Sequence, residues 1–324
     1  MQAHHDLDRP AAEQLNRCRE IPGFESLVAA LGYDSLADWL ARWAAIDGLS
    51  LAHEAWPVGV DPRWIASVGL PLLDHLQQSP PRSLLGLAAM PGCGKSTLCA
   101  WLKAAAARLG MAVEVVSLDD FYFPGMQLES AMAGNPWQAP RGIPGTHDVE
   151  LLLQALRQWR NAGTCEVPVF DKALRQGRGD RAGTRRLSAD RLILEGWFVG
   201  AGPWAATRHG ELSADLTPLS PAEVVYRPVI ERNLAPYQEV WRLLDGLWQL
   251  SPTTLSTVMS WKRQQNQSQQ QESGAGLAEQ DLQTMTRSLQ VCIPESALVS
   301  GRSADVVLRV DAQRQVHEVR LAGG

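Results

Sequence analysis

Apolar residues recur every three to five positions between Phe24 and Ala45. Leu27, Leu31, Leu36, Trp39, Leu40 and Trp43 are separated by polar residues, a pattern that predicts amphipathic helix. A second helical stretch is predicted around Trp64 to Gln77, and Ser79-Pro80-Pro81 then breaks the chain. Beyond the break the pattern changes. Ser83 to Ala88 is a short apolar run of buried-strand type, residues 97–109 form an alanine-rich helix ended by Gly110, and Ala112 to Ser117 reads as a second strand. Residues 118–147 are rich in loop formers. An amphipathic helix is expected from Asp148 to Trp159, a third strand from Arg191 to Glu195, a helix over 235–250, and two short strands from Asp305 to Leu321. The glutamine-rich tract 264–271 is expected to be a mobile loop or an exposed helix. Strands alternating with helices imply an α/β fold, a parallel sheet flanked by helices with ligands at the carboxyl ends of its strands. Residues 1–80 are expected to be a helical extension packed on a main domain of residues 81–324.

Composition narrows the class. With 45% hydrophobic and 20% charged residues over 324 positions, the chain has ample material for a core. No apolar run approaches the roughly 18 residues a membrane span needs, so no membrane partner is expected. The first residues, M-Q-A-H-H-D-L-D-R-P, lack the apolar stretch of a signal peptide. Five cysteines, odd in number and without a C-x-x-C pair, argue against a disulfide framework or a zinc site and suit a reducing cytoplasm. A net charge of −5 gives no overall nucleic-acid footprint, so an anionic ligand must be met by local basic residues. The twelve tryptophans are scattered without a repeat, which marks them as core.

The most specific signal is A-M-P-G-C-G-K-S-T at 89–97. It fits a phosphate-binding loop, with Ala89 in the first position and Pro91, Gly92, Cys93, Gly94, Lys95, Ser96 and Thr97 following between a strand and a helix. Small residues let backbone N–H groups turn inward around phosphates. The lysine ammonium reaches the β- and γ-phosphates, and the serine hydroxyl takes a place on Mg²⁺. Cys93 inside the loop raises the question of redox control; a small residue that fits the turn is the simpler reading.

Other groups could do chemistry beside that loop. Asp119 and Asp120, directly after the second strand, could orient a substrate hydroxyl, accept its proton or help hold Mg²⁺. Glu195 closes the apolar strand L-I-L-E-G, where a buried acid needs a cation such as Mg²⁺ beside it. Lys172, Arg178 and Arg181 belong to a basic run at 172–191 expected to be mostly solvated loop; R-G-D-R at 178–181 is suited to gripping carboxylate or phosphate. The segment 135–148 has the length and punctuation of a binding loop. Arg141, Thr146, His147 and Asp148 are its candidates, with Thr146 or Asp148 equally able to cap the next helix.

The phosphate loop, S-L-D-D-F-Y (which includes Tyr122) and L-I-L-E-G-W, in this order, resemble the small-metabolite kinases that include uridine kinase, phosphoribulokinase and pantothenate kinase. More narrowly, N-P-W-Q-A-P-R-G-I-P-G-T-H-D, V-P-V-F-D-K, G-R-G-D-R and L-E-G-W resemble D-glycerate 3-kinases of the plant and cyanobacterial type, over residues 84 to 310. V-M-S-W-K-R-Q-Q at 258–265 and G-A-G-L at 274–277 resemble that family's lid and the helix after it. The resemblance implies a P-loop NTPase-type fold, ATP and Mg²⁺ served by Lys95 and Ser96, Asp119 as catalytic base and Glu195 as strand-end acid. It also implies D-glycerate as the small-molecule substrate, phosphorylated at its primary hydroxyl. Tyr122, Asp120 and the basic and loop residues named above become substrate-binding candidates, with Arg141 and Arg178 first for the carboxylate. Two departures stand out: Phe170 where related sequences often have Tyr, and glutamines at 264–271 where a more charged lid is usual. A kinase of another small hydroxylated metabolite and a nucleotide-binding regulator without transfer activity are the alternatives.

Overall fold

A computed structural model of the chain describes residues 17–45, 63–205, 208, 210–273, 278–299 and 301–322. Its sheet has six strands: β1 (Leu84–Ala89), β2 (Val113–Ser117), β5 (Arg191–Gly196), β6 (Gly246–Pro252), β7 (Val306–Val310) and β8 (Val316–Leu321). They lie in the order β2-β5-β1-β6-β7-β8, all parallel except β8, which closes the edge antiparallel to β7. A separate antiparallel hairpin is formed by β3 (Thr164–Asp171) and β4 (Asp180–Ser188). Every residue of β1 is buried. That is the burial a central parallel strand requires, and it explains a continuous apolar run rather than an alternating one.

Ten α-helices accompany the strands among the described residues. Phe24–Ala30 (α1) and Leu36–Ala45 (α2) replace the single helix expected from Phe24 to Ala45. The break falls before Ser35, whose hydroxyl accepts the Asp38 N–H at 3.1 Å and starts the second helix as a cap. Leu70–Gln78 (α3) follows a single π-helical stretch, and Ser79-Pro80-Pro81 ends it as expected. Lys95–Arg108 (α4) leaves the phosphate loop. Gly125–Met132 (α5) lies inside the segment expected to be loop, and Val149–Ala162 (α6) is capped by Asp148, which accepts the Leu151 N–H at 3.1 Å. Pro221–Leu234 (α7), Tyr237–Trp241 (α8), Thr257–Ser273 (α9) and Glu279–Val291 (α10) complete the set.

Two expectations are corrected. Residues 235–250 are helical only over Tyr237–Trp241, and Gly246–Pro252 is a central strand. A short apolar run carries no period, so its neighbours decide its conformation. Here the Asp245 carboxylate accepts the Leu84 N–H at 2.7 Å and sets the run against β1. The basic stretch 172–191 is divided: residues 172–179 form a turn, as expected, while Asp180–Ser188 is strand β4 and Arg191 opens β5. The tract 264–271 lies in α9 and takes the exposed-helix form. G-A-G-L at 274–277 and the helical expectations for 11–16 and 46–62 lie outside the described residues.

The N-terminal helices share one hydrophobic core with the sheet. The Val319 N–H on β8 donates to the Pro22 carbonyl at 2.9 Å, tying the entry to α1 to the sheet edge. Asp74 on α3 organises this corner. Its fully buried carboxylate accepts from Trp39 Nε1 at 2.5 Å, Trp43 Nε1 at 2.9 Å and the Tyr33 hydroxyl at 2.9 Å, and pairs with Arg42. Replacing it with Ala strands two buried indole donors and removes the carboxylate partner of Arg42. Asp74→Ala is therefore expected to cost about 3–5 kcal/mol of stability, seen as a lower urea midpoint. An unchanged midpoint would show that the corner is not held by this carboxylate.

Candidate active site

The loop after β1 takes its shape from two glycines that only glycine occupies without strain: Gly92 has φ 85° and Gly94 φ 105°. A Cβ on Gly92 would also come within 2.9 Å of the Trp261 Cβ. Arg314, in the turn between β7 and β8, donates Nε and Nη2 to the Gly92 carbonyl at 3.0 and 2.8 Å and fixes the loop from outside. Cys93 is fully buried, and burial pushes its thiol up to about 12 against the opposing pull of Arg314 and Lys95. Such a thiol is unreactive, which favours the turn-fitting role over redox control.

A cavity of about 880 Å³ opens over this loop, a size typical of small-molecule and cofactor sites. Pro91, Gly92, Cys93, Gly94, Lys95, Ser96 and Thr97 form its floor, and Asp119, Lys172 and Glu195 stand on one side. Lys95 pairs with Glu195, both largely buried. Burial alone would lower the Lys95 ammonium, but the adjacent carboxylate outweighs it and holds its pKa above the usual value. Asp119 accepts from Lys172 at 2.6 Å and from the Tyr122 hydroxyl at 2.9 Å. Burial opposes its ionisation, yet Lys172, His147 and Lys95 hold it well below the usual carboxylate range. The oxygen donors facing the cavity, Ser96, Asp119 and Glu195, are the hard ligands Mg²⁺ prefers when phosphates supply the remainder.

Behind Asp119 lies a stack of rings. Tyr122 lies on His147 with centroids 4.3 Å apart, and His147 Nδ1 bonds the Tyr237 hydroxyl at 2.8 Å. Burial pushes His147 down to about 4, so it is neutral near pH 7. Thr146 donates to the Ile143 carbonyl at 2.6 Å and lies buried beside it. Asp120 points under the hairpin, accepting the Phe170 N–H at 3.4 Å, and burial raises its pKa. Ala89 ends β1 and lines a neighbouring cavity of about 390 Å³.

The basic candidates separate. Lys172 lines the main cavity. Arg181 donates to the Tyr122 carbonyl at 3.0 Å and pairs with the α6 cap Asp148 at 3.2 Å. Arg141 donates to the carbonyls of Gly177 and Arg178, both at 2.8 Å, and closes the hairpin turn. Arg178 pairs with Glu129 at 3.0 Å on the far side of that turn. Of the four cations, only Lys172 lines the cavity. Lys262, on α9, does line it, although nothing in the sequence singled it out above its neighbours. Burial, with Lys172 and Arg141 nearby, lowers its pKa to about 8 against the pull of Asp119. Its sequence signals are its place in the lid-like V-M-S-W-K-R-Q-Q segment and beside Trp261, which is fully buried and fixes the helix face.

No family model matches the chain. An uncharacterized kinase of Schizosaccharomyces pombe is 28% identical over 219 residues, 61% of this chain and 75% of that protein. The chloroplastic D-glycerate 3-kinase of Arabidopsis thaliana is 28% identical over 217 residues, 62% of this chain; the match spans 45% of the Arabidopsis protein, less than half its length. A solved structure of D-glycerate 3-kinase from Cryptococcus neoformans superposes with a TM-score of 0.64 at 22% identity, covering 85% of this chain and 96% of that one. The fold is thus that of the P-loop kinases, and the sequence similarity supports a kinase. Among the described residues no helix is long and apolar enough to cross a membrane.

Asp119 depends on its donors for its low pKa. In Tyr122→Phe one hydrogen bond to the charged form is lost, so the carboxylate should protonate at higher pH. The acid limb of the kcat profile is expected to move up by about one pH unit. A limb that stayed in place would separate Tyr122 from the acid–base group.

Proposed function

We propose that this glycerate-kinase-like P-loop chain transfers the γ-phosphoryl group of ATP to the primary hydroxyl of D-glycerate, giving 3-phosphoglycerate and ADP. The observation that carries the reading is a single cavity holding both the phosphate loop and an ionised aspartate at the end of the next strand. A nucleotide switch needs the first of these and has no use for the second. The identity to the Arabidopsis D-glycerate 3-kinase supports the choice of acceptor.

Phosphoryl transfer asks a protein for positioning and charge stabilisation rather than covalent chemistry. Backbone N–H groups of the loop and the Lys95 ammonium hold the β- and γ-phosphates. Ser96 and Glu195 are the residues that would hold Mg²⁺, which when bound neutralises developing charge on the phosphates. Glu195 also keeps Lys95 charged and directed to the loop. Asp119 orients the acceptor hydroxyl; as its oxygen bonds phosphorus and the bond to the ADP oxygen breaks, the proton passes to the Asp119 carboxylate. Glycerate is small, and its carboxylate is its strongest handle. Lys172 and Lys262 are the cations that line the acceptor side, so they are first in line for that charge, with Arg141 behind them. With the carboxylate held there, the terminal C3 hydroxyl reaches furthest toward the γ-phosphate.

Phosphorus NMR of the product tests this orientation: 3-phosphoglycerate is expected, with little turnover of glycerol. Formation of 2-phosphoglycerate, or equal turnover of glycerol, would overturn it. Asp119→Asn should keep ATP binding and lower kcat by about 10²–10⁴, while Lys95→Ala should remove nearly all turnover. Wild-type kcat in the asparagine variant would remove Asp119 from the chemistry.

A further inference from the structure

Lys172 meets Asp119 at 2.6 Å, yet its side chain is 55% exposed. Packing along so exposed a stem does little to direct the ammonium, so its place depends on where the backbone sets its Cα. That backbone is the turn of residues 172–179, between β3 and β4. The turn is costly by itself. Arg175 and Gln176 have φ 53° and 58°, in the left-handed region that side chains disfavour, and Gly177 and Gly179 follow at 83° and 84°. Burial offers little in return. Leu174, its one large apolar side chain, is 40% exposed, and only Gly179, at its end, is buried, against the Phe170 ring. The Arg178 N–H donates to the Arg175 carbonyl at 3.2 Å and the Gly179 N–H to the Leu174 carbonyl at 2.9 Å. These bonds close the turn but do not tie it to the rest of the protein.

Side chains from two other segments do that. Arg141, from the 135–148 loop, grips the Gly177 and Arg178 carbonyls. Glu129, on α5, holds both neighbouring arginines through one oxygen: Oε1 accepts from Arg175 Nη2 at 2.7 Å and from Arg178 Nη1 at 3.0 Å. The start of α5 is itself fastened to the hairpin, where the Gly125 N–H donates to Asp180 Oδ1 at 2.8 Å. Glu129 does not line the catalytic cavity. An exposed ion pair ordinarily contributes little to stability. Here a shared carboxylate bridges the two arginines that flank Gln176 and Gly177, and so favours the left-handed conformation over relaxed ones.

We propose that Glu129 is a positioning residue: by clamping the turn through Arg175 and Arg178, it sets Lys172 against Asp119. The inference rests on the phosphotransfer reading, and a double-mutant cycle on the full chain, with Mg²⁺, ATP and saturating D-glycerate, tests it. Glu129→Ala should lower kcat about three- to tenfold and leave the KM for ATP unchanged, because the phosphate loop is untouched. Lys172→Gln keeps Asp119 and so retains measurable turnover. In that background Glu129→Ala should cost less than about twofold, since the group it positions is gone. Arg175→Ala, which removes one of the two guanidiniums, should behave likewise in both backgrounds. Equal losses with and without Lys172, a KM for ATP that rises as kcat falls, or wild-type kcat in both Glu129→Ala and Arg175→Ala would overturn the positioning role and leave the phosphotransfer reading standing. A wild type that makes no phosphorylated product would overturn that reading, and the positioning role with it.

Discussion

The pairing of Lys95 with Glu195 depends on the register between two adjacent parallel strands, and the rest of the site is arranged around it. Leu87 on β1 stands opposite Glu195 on β5, so the strand-end acid is level with the last turn of chain before the phosphate loop. A buried ammonium and a buried carboxylate are each costly alone and tolerable together. The sheet must therefore bring both strand ends to the same height, and the apolar faces of β1 and β5 supply the packing that does so. With the register set, the loop glycines, the α4 N-terminus and the cavity follow.

The acceptor side is built differently. Asp119 lies in the short helical turn directly after sheet strand β2, but Lys172, its strongest partner, directly follows β3 in a hairpin that is not part of the sheet. Arg141, Arg181 and Asp148 brace that hairpin against the 135–148 loop. Much of the positive charge in the 172–191 run thus holds structure together, which leaves lysines rather than an arginine fork on the acceptor side of the cavity. A lysine is a mobile point charge, less directional than a guanidinium. The enclosing loop must then supply more of the selectivity for the acceptor.

The loop has a comparable dependence on remote chain. Trp64 precedes β1, Trp261 begins α9 and Arg314 closes the last hairpin, yet all three meet at Gly92 and Gly94. The phosphate-loop part of the site is consequently sensitive to segments that precede it and follow it in the chain. Its single reactive-looking group, Cys93, is sealed by that same packing.

Sequence alone determined what depends on local rules. The phosphate loop needs small residues followed by Lys95 and Ser96 between a strand and a helix; the alternation of those elements implies the α/β fold; Asp119 was legible because a carboxylate after a parallel strand faces the crevice of the phosphate loop, and Glu195 because an acid ending an apolar strand must meet a cation. Other features were decided by contacts between distant segments. Gly246–Pro252 is a strand because β1 and β7 border it, while its short apolar run is equally compatible with helix. Lys262 and Gln313 face the cavity because Trp261 and Trp64 anchor their elements, and Arg178 does not because Glu129 holds it on the other side of the turn. Local chemistry is written in neighbouring residues, whereas the direction a long side chain takes is settled by the partner it finds once the chain has closed.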